Sequence, residues 1–333
     1  MGERWTTVSE SKQNVTTSPE RAWCRNWESR EMALHLDFTS PPSLWKAYPR
    51  FIFGRRGGIR RGQDFPLLSA RWAGVSVDTE LLQRYRECCE IVDEPGLPIH
   101  YPHVIASPMH LVMLTEPEFP LRLLGAVHAR NHAIRYRPVQ PQEQLDLQSR
   151  ILQCRYRPQG YEIDFETQVK SAGELVWSEI TTFLVRKKLR DEEPPSPLAD
   201  VFPWEDEQAQ LVDEFLVPKR AGKRYAAITG DYNPIHISRL LAKLFGFRRD
   251  LVHGMWGVAR ATNRVEELRS EGPVRVDIAF KGPLYMEHKV KVLSAPCEGG
   301  QSLRLFCGKE ERPAVHVVVR AVDKDTHPID VSG

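Results

Sequence analysis

The chain has 333 residues and a mass of 38.3 kDa, too long for one ordinary domain of about 100–200 residues, so two domains or a doubled unit are expected. Hydrophobic residues at 41% and charged residues at 27% give the balance of a globular protein with a sizeable core. A formal net charge of +2 argues against a dedicated nucleic-acid binder, and no apolar run approaches the ~18–20 residues of a membrane span.

Residues 1–45 read as an N-terminal arm, mobile because its first 30 residues are rich in Ser, Thr, Glu and Arg and carry no hydrophobic period. Glu3, Glu10, Glu20 and Glu28 among Arg4, Arg21 and Arg25 fit neither a secretion signal nor an acidic-poor transit peptide, so a cytoplasmic protein is expected. The six cysteines, Cys24, Cys88, Cys89, Cys154, Cys297 and Cys307, form no CxxC pair and read as scattered reduced thiols.

Residues 46–190 form a first half. A helix-like segment around Leu111–Leu114 precedes alternating runs, of which Tyr161, Ile163, Phe165, Thr167 and Val169 are the cleanest. Leu175–Val185 is another. His128 and His132, four apart in a strand-like stretch, would share a face with no third ligand evident, so no metal is expected. Asp191-Glu-Glu-Pro-Pro-Ser-Pro197 and Pro203 mark an extended linker over 191–204, because proline neither continues a helix nor donates to a strand.

Residues 205–333 form the second half. Ala221-Gly-Lys-Arg is not a phosphate-binding loop, since its first glycine would fall at Val217. Asn233 and Pro234 start a helix: Asn caps, and Pro at the first position lacks only an N–H that had no partner. Ile237, Leu240, Leu241, Leu244 and Phe245 continue it to Gly246. A second helix spans about Gly254 to Leu268, with Met255, Val258, Ala259, Thr262 and Val265 on one face. The period then switches to two: Val274 to Phe280, Val290 and Val292, Leu303 to Cys307, and Val315 to Val319. No helix fits between these strands, so the sheet is expected to be antiparallel and the class α+β.

The halves echo each other. Tyr85-Arg-Glu-Cys is similar to Tyr225-Ala-Ala-Ile, and Tyr101-Pro-His103-Val to Leu251-Val-His253-Gly, at offsets of 140 and 150 residues. The extra ten residues of the second copy hold the chemistry. Asp231 stands just before the helix cap and His236 in the first turn, so a sharply bent entry can aim both at one space. A carboxylate and an imidazole sharing a water make a general acid/base pair.

Tyr225, Thr229-Gly-Asp-Tyr-Asn-Pro-Ile-His236 and Leu251-Val-His-Gly-Met255 together resemble the signature of the MaoC-like (R)-specific enoyl-CoA hydratases and 3-hydroxyacyl-thioester dehydratases. The looser first half resembles the double-hotdog members. The resemblance implies two tandem hotdog folds, each a long helix wrapped by an antiparallel sheet, and reversible hydration of trans-2-enoyl thioesters to (R)-3-hydroxyacyl thioesters. Asp231 and His236 would be the catalytic pair, with the division of the two protons left open. Gly254 would polarise the thioester carbonyl through its N–H, and Asn233 would hold the turn or the pair. Thr262 falls where some relatives carry a serine near the site; Tyr225 belongs to the substrate side. Lys223 and Arg224, with Lys219 and Arg220, are placed for a phosphate, better than the basic Phe53-Gly-Arg-Arg-Gly-Gly-Ile-Arg-Arg61 loop.

The first half reads Glu90-Ile-Val-Asp-Glu-Pro-Gly-Leu-Pro-Ile-His100 where the motif should stand, with Asp93 and His100 seven apart. It is expected to be catalytically silent and to shape the acyl pocket. The substrate would be an acyl-CoA or an acyl carrier protein thioester, with no cofactor and no metal. The chain could stand alone or pair as a homodimer. A hotdog thioesterase and a non-catalytic acyl-thioester-binding subunit are the competing readings.

Overall fold

In the computed structural model, which describes residues 32–330 apart from 55, 60–63, 93, 124 and 191, eleven strands form one sheet whose order mirrors itself about its middle. The first half contributes β1 (Met32–Phe38), α1 (Leu44–Phe53), β2 (Leu67–Val75), α2 (Thr79–Cys89), α3 (Tyr101–Thr115), β3 (Val127–Arg135), β4 (Leu145–Arg157), β5 (Gly160–Ser171) and β6 (Glu174–Arg186). The second contributes β7 (Gln210–Leu216), α4 (Ala221–Thr229), α5 (Pro234–Ile237), α6 (Arg239–Leu244), β8 (Leu251–Val252), α7 (Gly254–Ala261), β9 (Val274–Phe280), β10 (Leu284–Tyr285), β11 (Lys289–Cys297), β12 (Gly300–Cys307) and β13 (Val315–Ala321). The sheet runs β1-β2-β4-β5-β6-β3 and then β9-β13-β12-β11-β7. The strand after each central helix, β3 or β9, lies at the middle, and the two pair antiparallel from Arg130–Ala279 to Arg135–Val274. This is the α+β double hotdog: α3 and α7 each pack on their own half of a shared sheet.

The first 31 residues lie outside the described ones. Residues 32–38 are not arm: β1 pairs in parallel with β2, the one parallel pair of an otherwise antiparallel sheet. Strand β5 explains why its alternation was clean. Ile163, Phe165 and Val169 enter the core, while the opposite face buries Glu162, Asp164 and Glu166 against Arg130, Arg155 and Arg150 of neighbouring strands. Buried carboxylates need such partners. The 191–204 segment is extended but tied down. Leu198 and Val201 are buried, Ser302 donates to the Pro203 carbonyl at 2.7 Å, and Phe202 lies against His132 and His316.

Both expected helices of the second half are shorter than their periodicity. The first breaks at Ser238, which is extended (φ −135°) and caps α6 by accepting from Leu241 N at 3.4 Å. The second ends at Ala261 and continues as 3₁₀ turns over 262–264 and 266–269. There Asn263 reaches into the first half, accepting from Val92 N and donating to the Glu90 carbonyl. That tertiary bonding outweighs helical propensity. His128 and His132 do not share a face. A bulge between His128 and Arg130 adds a residue and reverses the alternation. His128 faces the cavity between the halves, and His132 instead meets Asp277 at 2.8 Å. Among the described residues no helix is long and apolar enough to cross a membrane.

Candidate active site

A cavity of about 360 Å³ opens between the halves, lined by α3, β3 and β6 on one side and by the α4–α7 segment on the other. Helix α4 ends at Gly230, whose left-handed backbone (φ 72°) turns the chain sharply into Asp231. The Asp231 carboxylate accepts from Asn233 N at 3.1 Å, and Asn233 Oδ1 in turn accepts from Ile235 N at 3.4 Å, capping α5. Asn233 therefore holds the turn. His236 follows in α5 and is buried. Close packing fixes it: a Cβ on Gly222 of α4 would stand 2.4 Å from the His236 carbonyl oxygen.

The His236 Nδ1–H donates to the Leu251 carbonyl at 2.9 Å, because a carbonyl can only accept. Its Nε2 is then left as an acceptor. The His236 ring stacks on His253 at 3.7 Å between centroids, and His253 packs against Tyr225 at 4.9 Å. His253 Nε2 donates to the Asp231 carbonyl at 2.9 Å and lies 3.4 Å from its carboxylate. Burial pushes His236 down to about 3, helped by the His253 ring, so it is neutral at neutral pH. Burial would raise Asp231. The hydrogen bond and charge of His253, with His236, outweigh it and hold that carboxyl below the usual range. The pair thus presents two acceptors, a carboxylate oxygen and an imidazole nitrogen, to the same cavity.

Gly254 opens α7, so its N–H is among the helix-start donors without an intrahelical acceptor. A Cβ there would sit 2.4 Å from Phe280 Cε1, so only glycine fits between helix and ring. Asp231, His236, Asn233, Gly254 and Tyr225 therefore converge on one cavity. Three other expected residues do not. Thr262 ends α7, where its buried hydroxyl donates to the Val258 carbonyl at 2.9 Å. Lys223 and Arg224 are exposed on α4 away from the lining. Among the described residues, the exposed cations that line the cavity are Arg186 and Lys281.

Sequence reasoning passed over His253 and His103. His253 sat inside the Leu251-Val-His-Gly-Met string, and its internal counterpart was the pointer to His103. Each belongs to a cluster whose ligand atoms lie within 4.8 Å of one another: Asp231, His236 and His253, and His103, His110 and Glu179. Internal hydrogen bonds already engage nitrogens in both sets. In the first half, His100 caps α3 and is buried with neither ring nitrogen bonded, and Asp93 lies outside the described residues.

Residues 205–299 match the model of the MaoC-like domain. The chain is 29% identical over 281 residues to 3-hydroxyacyl-thioester dehydratase X of Mycobacterium tuberculosis, covering 84% of this chain and 99% of that protein. The crystal structure of HtdX from the same organism superposes with a TM-score of 0.66 at 25% identity, covering 76% of this chain and 100% of that one. A MaoC-like dehydratase of Phytophthora capsici shares the fold with a TM-score of 0.60 at 16% identity, over 77% of this chain and 95% of that one. With the motif, the mirrored sheet and these relatives in agreement, residues 205–299 carry a MaoC-like domain and the chain as a whole is similar to the MaoC-like dehydratases, with the double-hotdog fold.

Proposed function

We propose that the protein reversibly hydrates trans-2-enoyl thioesters to (R)-3-hydroxyacyl thioesters, with one active site per chain. The observation that carries this is the pair of acceptors, Asp231 carboxylate and His236 Nε2, beside the free N–H of Gly254. A water bound by both acceptors has its oxygen free to attack C3 of the enoyl group. As the C3–O bond forms, charge moves through C2 onto the thioester oxygen. A preorganised N–H at Gly254 stabilises that oxygen where charge develops. The proton lost by the water passes to the Asp231–His236 pair, and the pair returns a proton to C2. H and OH are thus added across the double bond, and dehydration runs the same path backwards.

His253 and Asn233 are positioning residues, the first by stacking on His236 and bonding the Asp231 backbone, the second by capping α5. The first half is catalytically silent and supplies the acyl wall. Arg186 and Lys281, exposed among the cavity residues, suit the phosphates of coenzyme A or of a carrier-protein arm better than Lys223 and Arg224 do.

The test is to add the purified protein to crotonyl-CoA and to a medium-chain trans-2-enoyl-CoA, then to a carrier-protein thioester. Loss of the conjugated absorbance with an (R)-3-hydroxy product is expected. Release of free thiol would identify hydrolysis instead, and binding without conversion of any of the three would identify a non-catalytic subunit.

A further inference from the structure

The cavity wall supplied by the first half is largely apolar but carries a polar patch. Helix α3 brings His103, Ser107 and His110 to the lining. His103 Nδ1 lies 2.9 and 3.0 Å from the two oxygens of Glu179, whose side chain is fully buried. Asn131 donates to the same carboxylate at 2.6 Å. Glu179 is therefore satisfied from behind and orients the imidazole. The His128 ring stacks on His103 at 5.4 Å with 19° between planes. Burial lowers His103, but the Glu179 carboxylate outweighs it and raises that imidazole above its ordinary value. With Nδ1 engaged by Glu179, Nε2 is the ring's remaining polar atom, and His103 lines the cavity.

Val104, Pro108 and Leu111 of the same helix line the cavity as well. The matching helix α7 instead presents Gly254 and Met255. A plain alkyl chain would cover the His103 Nε2 without answering it, and a polar group desolvated without a partner is costly. A hydroxyl answers it, because a hydroxyl both donates and accepts.

We propose that the α3 wall is a recognition subsite for a hydroxylated acyl chain, with His103 as the specificity-determining residue. This hydroxyl is distinct from the 3-hydroxyl that the reaction creates at the Asp231–His236 pair. The proposal rests on the reading of the cavity as an acyl-thioester site, and its test avoids turnover.

Saturated medium-chain acyl-CoAs of one length, one plain and the others with a single hydroxyl moved stepwise from mid-chain to the terminus, are titrated calorimetrically. At one position the hydroxylated chain should bind at least about tenfold more tightly than the plain one, the scale of one buried hydrogen bond. His103→Phe should abolish that preference while binding the plain chain at least as well. Glu179→Gln should reduce the preference severalfold, and carries the test if the Phe variant does not fold. Equal or weaker binding of every hydroxylated chain by the wild type overturns the proposal. So does a preference that survives His103→Phe, or one unchanged in Glu179→Gln. Failure to hydrate enoyl-CoA would strike the proposed function alone and leave these affinities readable.

Discussion

Gly254→Ala separates the role of one backbone N–H from that of the acid/base pair. The new Cβ would stand 2.4 and 2.5 Å from two carbons of the Phe280 ring. Carbon atoms rest at about 3.5–4.0 Å, so roughly 1 Å has to be recovered. The ring is braced by His128, 4.7 Å away between centroids, so helix α7 shares the displacement. Moving its first turn carries the Gly254 N–H off the position of the developing oxyanion. A misplacement of about 1 Å costs on the order of 100-fold, and loss of one such donor about 10²–10³-fold in kcat. The expected result is a fall in kcat of about 100-fold with a smaller change in KM. Overpacking should cost about 1–3 kcal/mol of stability as well. Steady-state enoyl-CoA hydration and thermal denaturation read the two effects separately. Trimming the obstacle in Gly254→Ala/Phe280→Leu should recover much of the rate. A folded Gly254→Ala protein within about threefold of wild-type kcat would refute the assignment of this N–H.

Asp231→Asn and His236→Gln should each lower kcat by about 10²–10⁴-fold, and the double variant little further, because the two hold one water; multiplicative losses in the same assay would show that they act separately. Neither residue protonates until well below neutrality, so kcat/KM should show no acid limb from this pair down to about pH 5, and a limb near neutrality that vanishes in His236→Gln would contradict this. Stability behaves differently. His100, His128 and His236 are pushed down to about 3 and His110 to about 4 by burial, while an unfolded histidine titrates near 6.5. The unfolded chain therefore binds more protons in that window. Stability is full above about pH 6.5 and is lost as pH falls towards the folded values, so Tm should drop steadily over that range, and a flat Tm profile would refute it. Asp277→Ala should cost about 3–5 kcal/mol in chemical denaturation, since it strands the buried Arg275 and His132 at the β3–β9 join; a loss under about 1 kcal/mol would mean the network is dispensable.

The second half was legible because its signals are local. Asn233-Pro234, the alternating valines of β9 and β13, and Gly246 with its φ of +84° each act through neighbours in the chain. What failed depends on distant partners. Helix α7 ends where Asn263 bonds residues of the first half, and that end removes Thr262 from the cavity. A bulge sends His128 and His132 to opposite faces, which no residue spacing reports. Strand β1 needed β2 beside it to be recognised, because Met32–Phe38 is half exposed. The motif indicated Asp231, His236 and Gly254 directly. The stacking of His253 on His236 and the bond of His103 to Glu179 arise only when separate elements pack, so both stayed hidden.

In the proposed reaction, Asp231 and His236 add water to an enoyl thioester. This is tested most directly by following the conjugated absorbance of one medium-chain trans-2-enoyl-CoA with wild type and with folded Asp231→Asn in parallel, and by resolving the product's configuration. Rapid loss of the band to an (R)-3-hydroxyacyl-CoA is expected for wild type, and a rate lower by orders of magnitude for the variant. Equal rates, or an (S) product, would contradict it.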